Sequence, residues 1–351
     1  MAESPTIATG LSLRHNAFNF LRLIGAFIVV GVHSPTLAGT GPEPRWGDMQ
    51  FGLMIVCYFF MMSGFLITTS RFKLSGAHFT LRRIGRIVPA LWLCFVVTAL
   101  VISPLAAQKK GDWSWGEAWG YIGGHLLFFP GQDQLTSILE GNPNSFTWNG
   151  SAWTIPLELI CYTFIGCGLA VPALRRHLRV LSSIGLVGIL TFGTFVTFYN
   201  PEPGALFIVA SFAVGVAFYA WQDVIRLNGR VALVAFVVSI ACFHFPVTMF
   251  IGAIPFSYAV IWFAANAPDR IKKLGATNDI SYGMYVYAWP LQQLLYNFGV
   301  ADHGVFVFAV VAMVVTTVFG WASWLLVERR AADWSRARTR PRDPRSTVGS
   351  A

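Results

Sequence analysis

Charge is what this 351-residue sequence has least of: only 12% of it is charged, and Asp and Glu together number 16. So little charge excludes a disordered chain and does not suit a water-soluble domain of this length. The five cysteines, Cys57, Cys94, Cys161, Cys167 and Cys242, show neither metal-ligand spacing nor a disulfide framework. All fall within apolar runs, where a thiol reads as a packing residue. None of the seven histidines has metal-ligand spacing, so no metal is expected. No cleavable signal peptide is expected either. Residues 1–13 are polar and small, and the first apolar run, which carries Arg22, is long enough to span a bilayer. No internal repeat is evident.

What fills the chain instead is apolar, 55% of it, as in an all-α membrane protein built as a single polytopic bundle of about ten transmembrane helices. Windows of about 20 residues place the spans near 17–36, 51–70, 87–107, 152–171, 180–199, 204–221, 231–247, 248–266, 280–300 and 304–327. The basic residues orient them. Of the 25 Lys and Arg, all but Arg45, Lys109 and Lys110 fall in or beside alternate connections, the N-terminal flank or the tail. That asymmetry predicts cytosolic N- and C-termini in the cell inner (plasma) membrane. It also makes the net charge of +9 an orientation signal: the implied partner is the lipid bilayer, not a nucleic acid. The chain then divides into a disordered cytosolic N-terminus, 1–13, a transmembrane domain, 14–328, and a basic, disordered cytosolic tail, 329–351. The segment 113–131, aromatic but broken by Glu117, Gly123-Gly124 and His125, is expected to lie at the interface or re-enter.

Polar groups inside apolar runs are costly, so each one marks a candidate site. In the first span Arg22 and His33 are eleven residues apart. On a helix that is within ~20° of one face and ~16 Å along the axis. The second span carries Ser63-Gly64, two small residues that permit close helix approach or a kink. Arg83 and Arg86, three apart and so on one helix face, precede the third span. As a planar donor fork, Arg suits phosphate, although the pair also reads as a positive-inside anchor. Trp153 opens the fourth span, and Glu158 sits ~9 Å inside it, at a depth where it can meet His33.

Taken together, these clusters resemble the acyltransferase-3 family, integral-membrane enzymes that move acyl groups, often acetyl, onto sugars and other acceptors. The resemblance runs from about Asn19 to Glu328. A basic residue followed by ten others and then His is met by Arg22 and His33. FF-x-x-SGF is met by Phe59, Phe60, Ser63, Gly64 and Phe65. R-x-x-R is met by Arg83 and Arg86, and W-x-x-x-x-E by Trp153 and Glu158. D-x-SY-x-x-Y is met by Asp279, Ser281, Tyr282 and Tyr285, and the acidic residue closing the last span is Glu328. Each motif is weak alone, and their order makes the match specific. Two positions depart: Cys57 stands where many members have Asp, and Ala288 where many have His.

The resemblance implies an O-acyltransferase using cytosolic acyl-CoA, acetyl-CoA above all, as co-substrate. Its implied acceptor is a carbohydrate hydroxyl on a cell-surface or secreted glycan, such as an exopolysaccharide, or on a lipid-linked precursor. Arg22, Arg83 and Arg86 would bind the donor. His33 would act as general base, since imidazole exchanges protons near neutral pH. Glu158 would orient His33 or hold the acceptor. Ser63, Gly64, Trp153, Asp279, Ser281 and Tyr282 would line substrate or support the motifs. An acyl-His intermediate stays open. The competing reading is a proton-coupled transporter of an organic anion or acyl group, lined by Arg22, His33, Glu158 and Asp279. A non-catalytic scaffold is the third.

Overall fold

Backbone that meets neither water nor a partner strand must satisfy its hydrogen bonds internally, and helices do so. The computed structural model describes residues 4–110, 112–126, 135–200 and 204–339. Its main helices are α1 Phe18–Leu37, α2 Phe51–Lys73, α3 Gly76–Val97, α4 Trp115–Leu126, α5 Thr154–Gly168, α6 Leu178–Thr197, α7 Gly204–Ala220, α8 Gly229–Phe243, α9 Pro246–Asn266, α10 Ser281–Asn297 and α11 Val305–Ser323. Local chemistry sets several of the boundaries. The Ser75 side chain caps α3 by accepting from His78 N, and Asn228 caps α8 by accepting from Arg230 N and Val231 N. Pro246 starts α9, where its missing N–H costs nothing. A π turn, Thr98–Ile102, carries α3 into Ser103–Lys110, and another, Trp324–Glu328, carries α11 into Arg329–Arg338. Apart from these helices, one hairpin pairs Arg45–Trp46 with Met49–Gln50. Its turn needs Gly47, which sits at φ +58 with no room for a side chain against the His244 carbonyl.

Among the described residues six helices are long and apolar enough to cross a membrane. They are α1, α2, α6, α9 and the two continuous rods Gly76–Lys109 and Val305–Arg338. Helices α5, α7, α8 and α10 coincide with the other expected spans but run only 15–17 residues. The third rod also begins at Gly76, well before the expected boundary at 87, because Ser75 caps it there. The outward surface is what a bilayer requires. Val180, Ile184, Val187 and Phe192 on α6, Leu233, Val234 and Val237 on α8, and Phe306, Val314 and Val318 on α11 are all exposed. In water such faces would be an aggregation liability.

The core is organised where α2 crosses α7. A Cβ on Gly64 would lie 2.2 Å from the Phe212 carbonyl oxygen, and one on Gly215 2.1 Å from that of Met61. The two backbones therefore touch only because neither residue has a side chain. Because the obstacle is backbone, it cannot rotate away. Gly64→Val should lower stability by ~1–3 kcal/mol or more, read as a fall in melting temperature in detergent. An unchanged melting temperature would mean that the crossing is not tight.

Both terminal segments carry described structure. In residues 4–11 Ile7 is buried, its N–H bonds the Ile225 carbonyl, and Leu227 N bonds the Pro5 carbonyl. Two apolar side chains, Ile7 and Leu11, were enough to seat the segment. The tail likewise starts as helix Arg329–Arg338, with Ala332 and Ser335 buried and with Ser335 and the Ala331 carbonyl set against Gly85 of α3. Arg82 Nε donates to Thr339 Oγ1 at 2.7 Å. Its charges had masked that small-residue face. Residues 340–351 and 127–131 lie outside the described residues. The rest of the expected interfacial segment is α4, which packs its Ala118, Tyr121 and Ile122 inward.

Candidate active site

Three cavities follow one another through the bundle. The upper one, about 380 Å³, is lined by His33, Glu43, Arg45, Asp48, Gln50, Trp153, Tyr285 and Trp289 among others. His33 Nδ1 and Glu43 Oε1 form a very short contact, and the imidazole meets the edge of Trp289 with centroids 5.0 Å apart. Glu43 stands between Pro42 and Pro44, which stiffen the loop, and the Pro44 carbonyl accepts from Phe51 N at the start of α2. Its Oε2 is 3.0 Å from where a Cβ of Gly52 would stand, so the carboxylate lies against the positive end of that helix. With Nδ1 donating to Glu43, the proton-accepting atom of a neutral His33 is Nε2, which has no partner among the described residues.

The middle cavity, about 110 Å³, shares Val56 and Tyr285 with the upper one. Here Glu158 accepts from the Tyr162 hydroxyl and from Ser63 Oγ at 3.3 Å. Tyr282 donates to the Ile87 carbonyl at 3.1 Å, and Tyr285 bonds Thr154 Oγ1 at 2.8 Å and the Ser151 carbonyl at 3.0 Å. Arg22, Arg83 and Arg86 line this cavity and the lower one, a vestibule of about 570 Å³.

Asp279 decides which of these arginines is available. Arg86 Nη2 is 2.5 Å and Arg22 Nη1 3.8 Å from its Oδ2, and Ser281 donates to its Oδ1 at 2.5 Å. Burial works against the charge, but Arg86 and then Arg22 outweigh it and hold this carboxyl below its usual range. Arg83 differs. It makes no ion pair or hydrogen bond among the described residues, its Nε is buried without a partner, and its guanidinium stands over the Phe79 ring, 5.9 Å from the centroid. An unpaired cation facing two cavities attracts an anion.

This constellation, with its motifs in order along one helical bundle, can be compared with known proteins. The acyltransferase domain of the acyltransferase-3 family matches residues 15–325. The chain belongs to this family. It is therefore a membrane O-acyltransferase. It is 28% identical over 335 residues to an O-acetyl transferase of Shigella phage Sf6, covering 90% of this chain and 96% of that protein. It is also 24% identical over 356 residues to Nodulation protein 10 of Rhizobium leguminosarum bv. viciae, with coverage of 90% and 93%. No solved structure matches it.

The family's motif residues converge on this column of cavities. Helix α1 presents Arg22 to the lower pair and His33 to the upper. Trp153 lines the upper cavity and Glu158 the middle one. Glu158 is thus not beside His33: Tyr162 and Ser63 hold it, and Glu43 occupies the place expected of it. Gly64 is at the α2–α7 crossing and lines none of the three cavities. Glu43 and Trp289 were missed. The one legible signal was a carboxylate held between two prolines in the short loop after His33. Glu328 is buried in the second π turn and accepts from Ser323 at 2.9 Å. No cluster of three metal-ligating side chains occurs among the described residues.

Proposed function

We propose that the enzyme moves an acetyl group from cytosolic acetyl-CoA to a hydroxyl of a glycan or its lipid-linked precursor, at the upper cavity. The observation that carries this reading is the column of cavities, basic at one end and furnished with His33 and Glu43 at the other. CoA is an anionic nucleotide on a long unbranched arm. A wide basic vestibule suits the nucleotide, and the narrow middle cavity suits the arm. The upper cavity suits a sugar, with Trp153 and Trp289 for ring stacking and Arg45, Asp48 and Gln50 for its hydroxyls.

In this reading His33 Nε2 takes the proton of the acceptor hydroxyl while the oxygen attacks the thioester carbonyl. The tetrahedral intermediate collapses by breaking the C–S bond, and the imidazolium returns its proton to the CoA thiolate. Glu43 holds the imidazole in the reactive tautomer and stabilises its charged form. Glu158, with Tyr162 and Ser63, would line the donor arm's path. Direct transfer needs only these groups, so no acyl-His step is invoked. The basic vestibule faces the cytosol of the inner membrane, and all ten apolar helices, the four shorter ones included, cross or enter the bilayer.

The test uses purified enzyme in detergent or nanodiscs. Acetyl-CoA with a suitable glycan should release free CoA, and acetyl-CoA alone should bind. Arg83→Ala should weaken acetyl-CoA binding by roughly ten- to hundredfold and leave the melting temperature near wild type, since it removes a charge-assisted contact and no internal pair. Arg86→Ala should instead destabilise the fold, by up to ~3 kcal/mol, because it strands the Asp279 carboxylate. Wild-type affinity in Arg83→Ala would put phosphate recognition elsewhere.

A further inference from the structure

The vestibule has more cationic character than the family motifs account for. Among the described residues six arginines line it, Arg22, Arg82, Arg83, Arg86, Arg329 and Arg336, against two aspartates, Asp279 and Asp333. Asp279 answers Arg22 and Arg86. Asp333 answers Arg336 at 3.4 Å, in an exposed pair one helical turn apart that contributes little. Among the described residues Arg82 bonds only the neutral Thr339 hydroxyl. Arg329 makes neither an ion pair nor a hydrogen bond among the described residues.

Two of these six lie beyond the matched residues, 15–325, on the helix Arg329–Arg338. That helix is seated, not loose. A Cβ on Gly85 would come 3.0 Å from Ser335 Cβ and 3.2 Å from the Ala331 carbonyl oxygen, and Thr339 Oγ1 bonds the Ser335 carbonyl at 2.9 Å. The close fit holds Arg329 and Arg336 at the rim of the same cavity that Arg83 enters from α3.

If the donor is acyl-CoA, as proposed above, it carries two separate anionic groups: the diphosphate near the pantetheine arm and the 3′-phosphate on the far side of the ribose. Arg83 lies at the junction of vestibule and middle cavity, where the arm begins. The second group must fall on the side away from that junction. We propose that the C-terminal helix is the outer wall of the donor site, and that Arg329 and Arg336, with Arg82 behind them, hold the 3′-phosphate. Deprotonation at neutral pH leaves this monoester with nearly two negative charges, and a cluster of guanidinium forks matches its three terminal oxygens. The free fork of Arg329 needs no internal pair to be broken. Arg336 exchanges a weak partner for a stronger one.

The experiment measures binding and turnover with two donors, acetyl-CoA and 3′-dephospho-acetyl-CoA, for wild type, Arg329→Ala, Arg336→Ala and the double variant. Wild type should bind the dephospho donor roughly tenfold or more weakly than acetyl-CoA. The double variant should lose that preference. Its affinity for acetyl-CoA should fall to the wild-type value for the dephospho donor, and its affinity for the dephospho donor should stay unchanged. Arg83→Ala should weaken both donors alike. Both exposed arginines can be removed without leaving a buried charge unpaired, and the melting temperature checks this. Equal losses for the two donors in the double variant would overturn the clamp while leaving the CoA reading intact. A wild type that binds neither donor would overturn the CoA reading itself.

Discussion

His33→Gln should leave the protein folded and able to bind acetyl-CoA, yet lower acyl transfer by about 10²–10⁴-fold. Glutamine retains a hydrogen-bonding group of similar length, so it can still reach Glu43 and pack against Trp289. What it cannot do is accept a proton from an alcohol at neutral pH. A histidine kept for packing would tolerate the change, and the size of the loss separates the two roles. The measurement is initial rate of CoA release at saturating donor, with binding assayed on the same preparation. Turnover above about a tenth of wild type would assign the base to another residue, and the reading of the upper cavity would fail.

Glu43→Gln should cost nearly as much in turnover, and for a different reason. The amide keeps the side chain's shape, but it can present its NH₂ to Nδ1. That favours the tautomer with the proton on Nε2, the atom that must be empty. It also removes the negative charge that stabilises imidazolium in the transition state. A change of this kind in a comparable His–carboxylate pair lowers turnover by ~10⁴, and because Glu43 is only partly buried we expect ~10²–10³ here. Donor affinity should not move, because the vestibule is at the other end of the column. Glu158→Gln is the contrasting variant. It keeps its Tyr162 and Ser63 contacts in the middle cavity, so any effect should fall on donor KM more than on kcat. If Glu158→Gln abolishes turnover and Glu43→Gln does not, the carboxylates have the opposite roles. Glu158 would then have to reach His33 through a conformation different from this one.

Arg83 shows why neighbouring arginines need not be equivalent. The R-x-x-R spacing places Arg83 and Arg86 on one face of α3, and by spacing alone either could hold phosphate. The difference comes from a residue nearly two hundred positions away: Asp279, just before α10, meets Arg86 and Arg22 and leaves Arg83 unpaired. The two should therefore separate cleanly, one as a binding variant and the other as a stability variant.

The sequence alone determined what depends on local periodicity and composition. Apolar runs and caps set where the helices lie. The basic residues set an orientation to be tested. The 3.6-residue period put Arg22 and His33 on one face of α1, and the order of five weak motifs pointed to the family. What it could not determine was which side chains meet across the bundle. Rotations of helices about their own axes are set by contacts such as the Gly64–Phe212 crossing, and those contacts join residues more than a hundred positions apart. So the expected meeting of Glu158 with His33 gave way to one with Tyr162 and Ser63. Nor does loop direction follow from helix periodicity. Glu43 reaches His33 because Pro42 and Pro44 stiffen a loop whose far end is anchored where α2 begins, a constraint visible only when both helix ends are in place. The helix Arg329–Arg338 was hidden for a related reason. Its charge suggested solvent, whereas Ser335 and the Ala331 backbone, which meet Gly85 on α3, decide by close packing that it docks beside the vestibule.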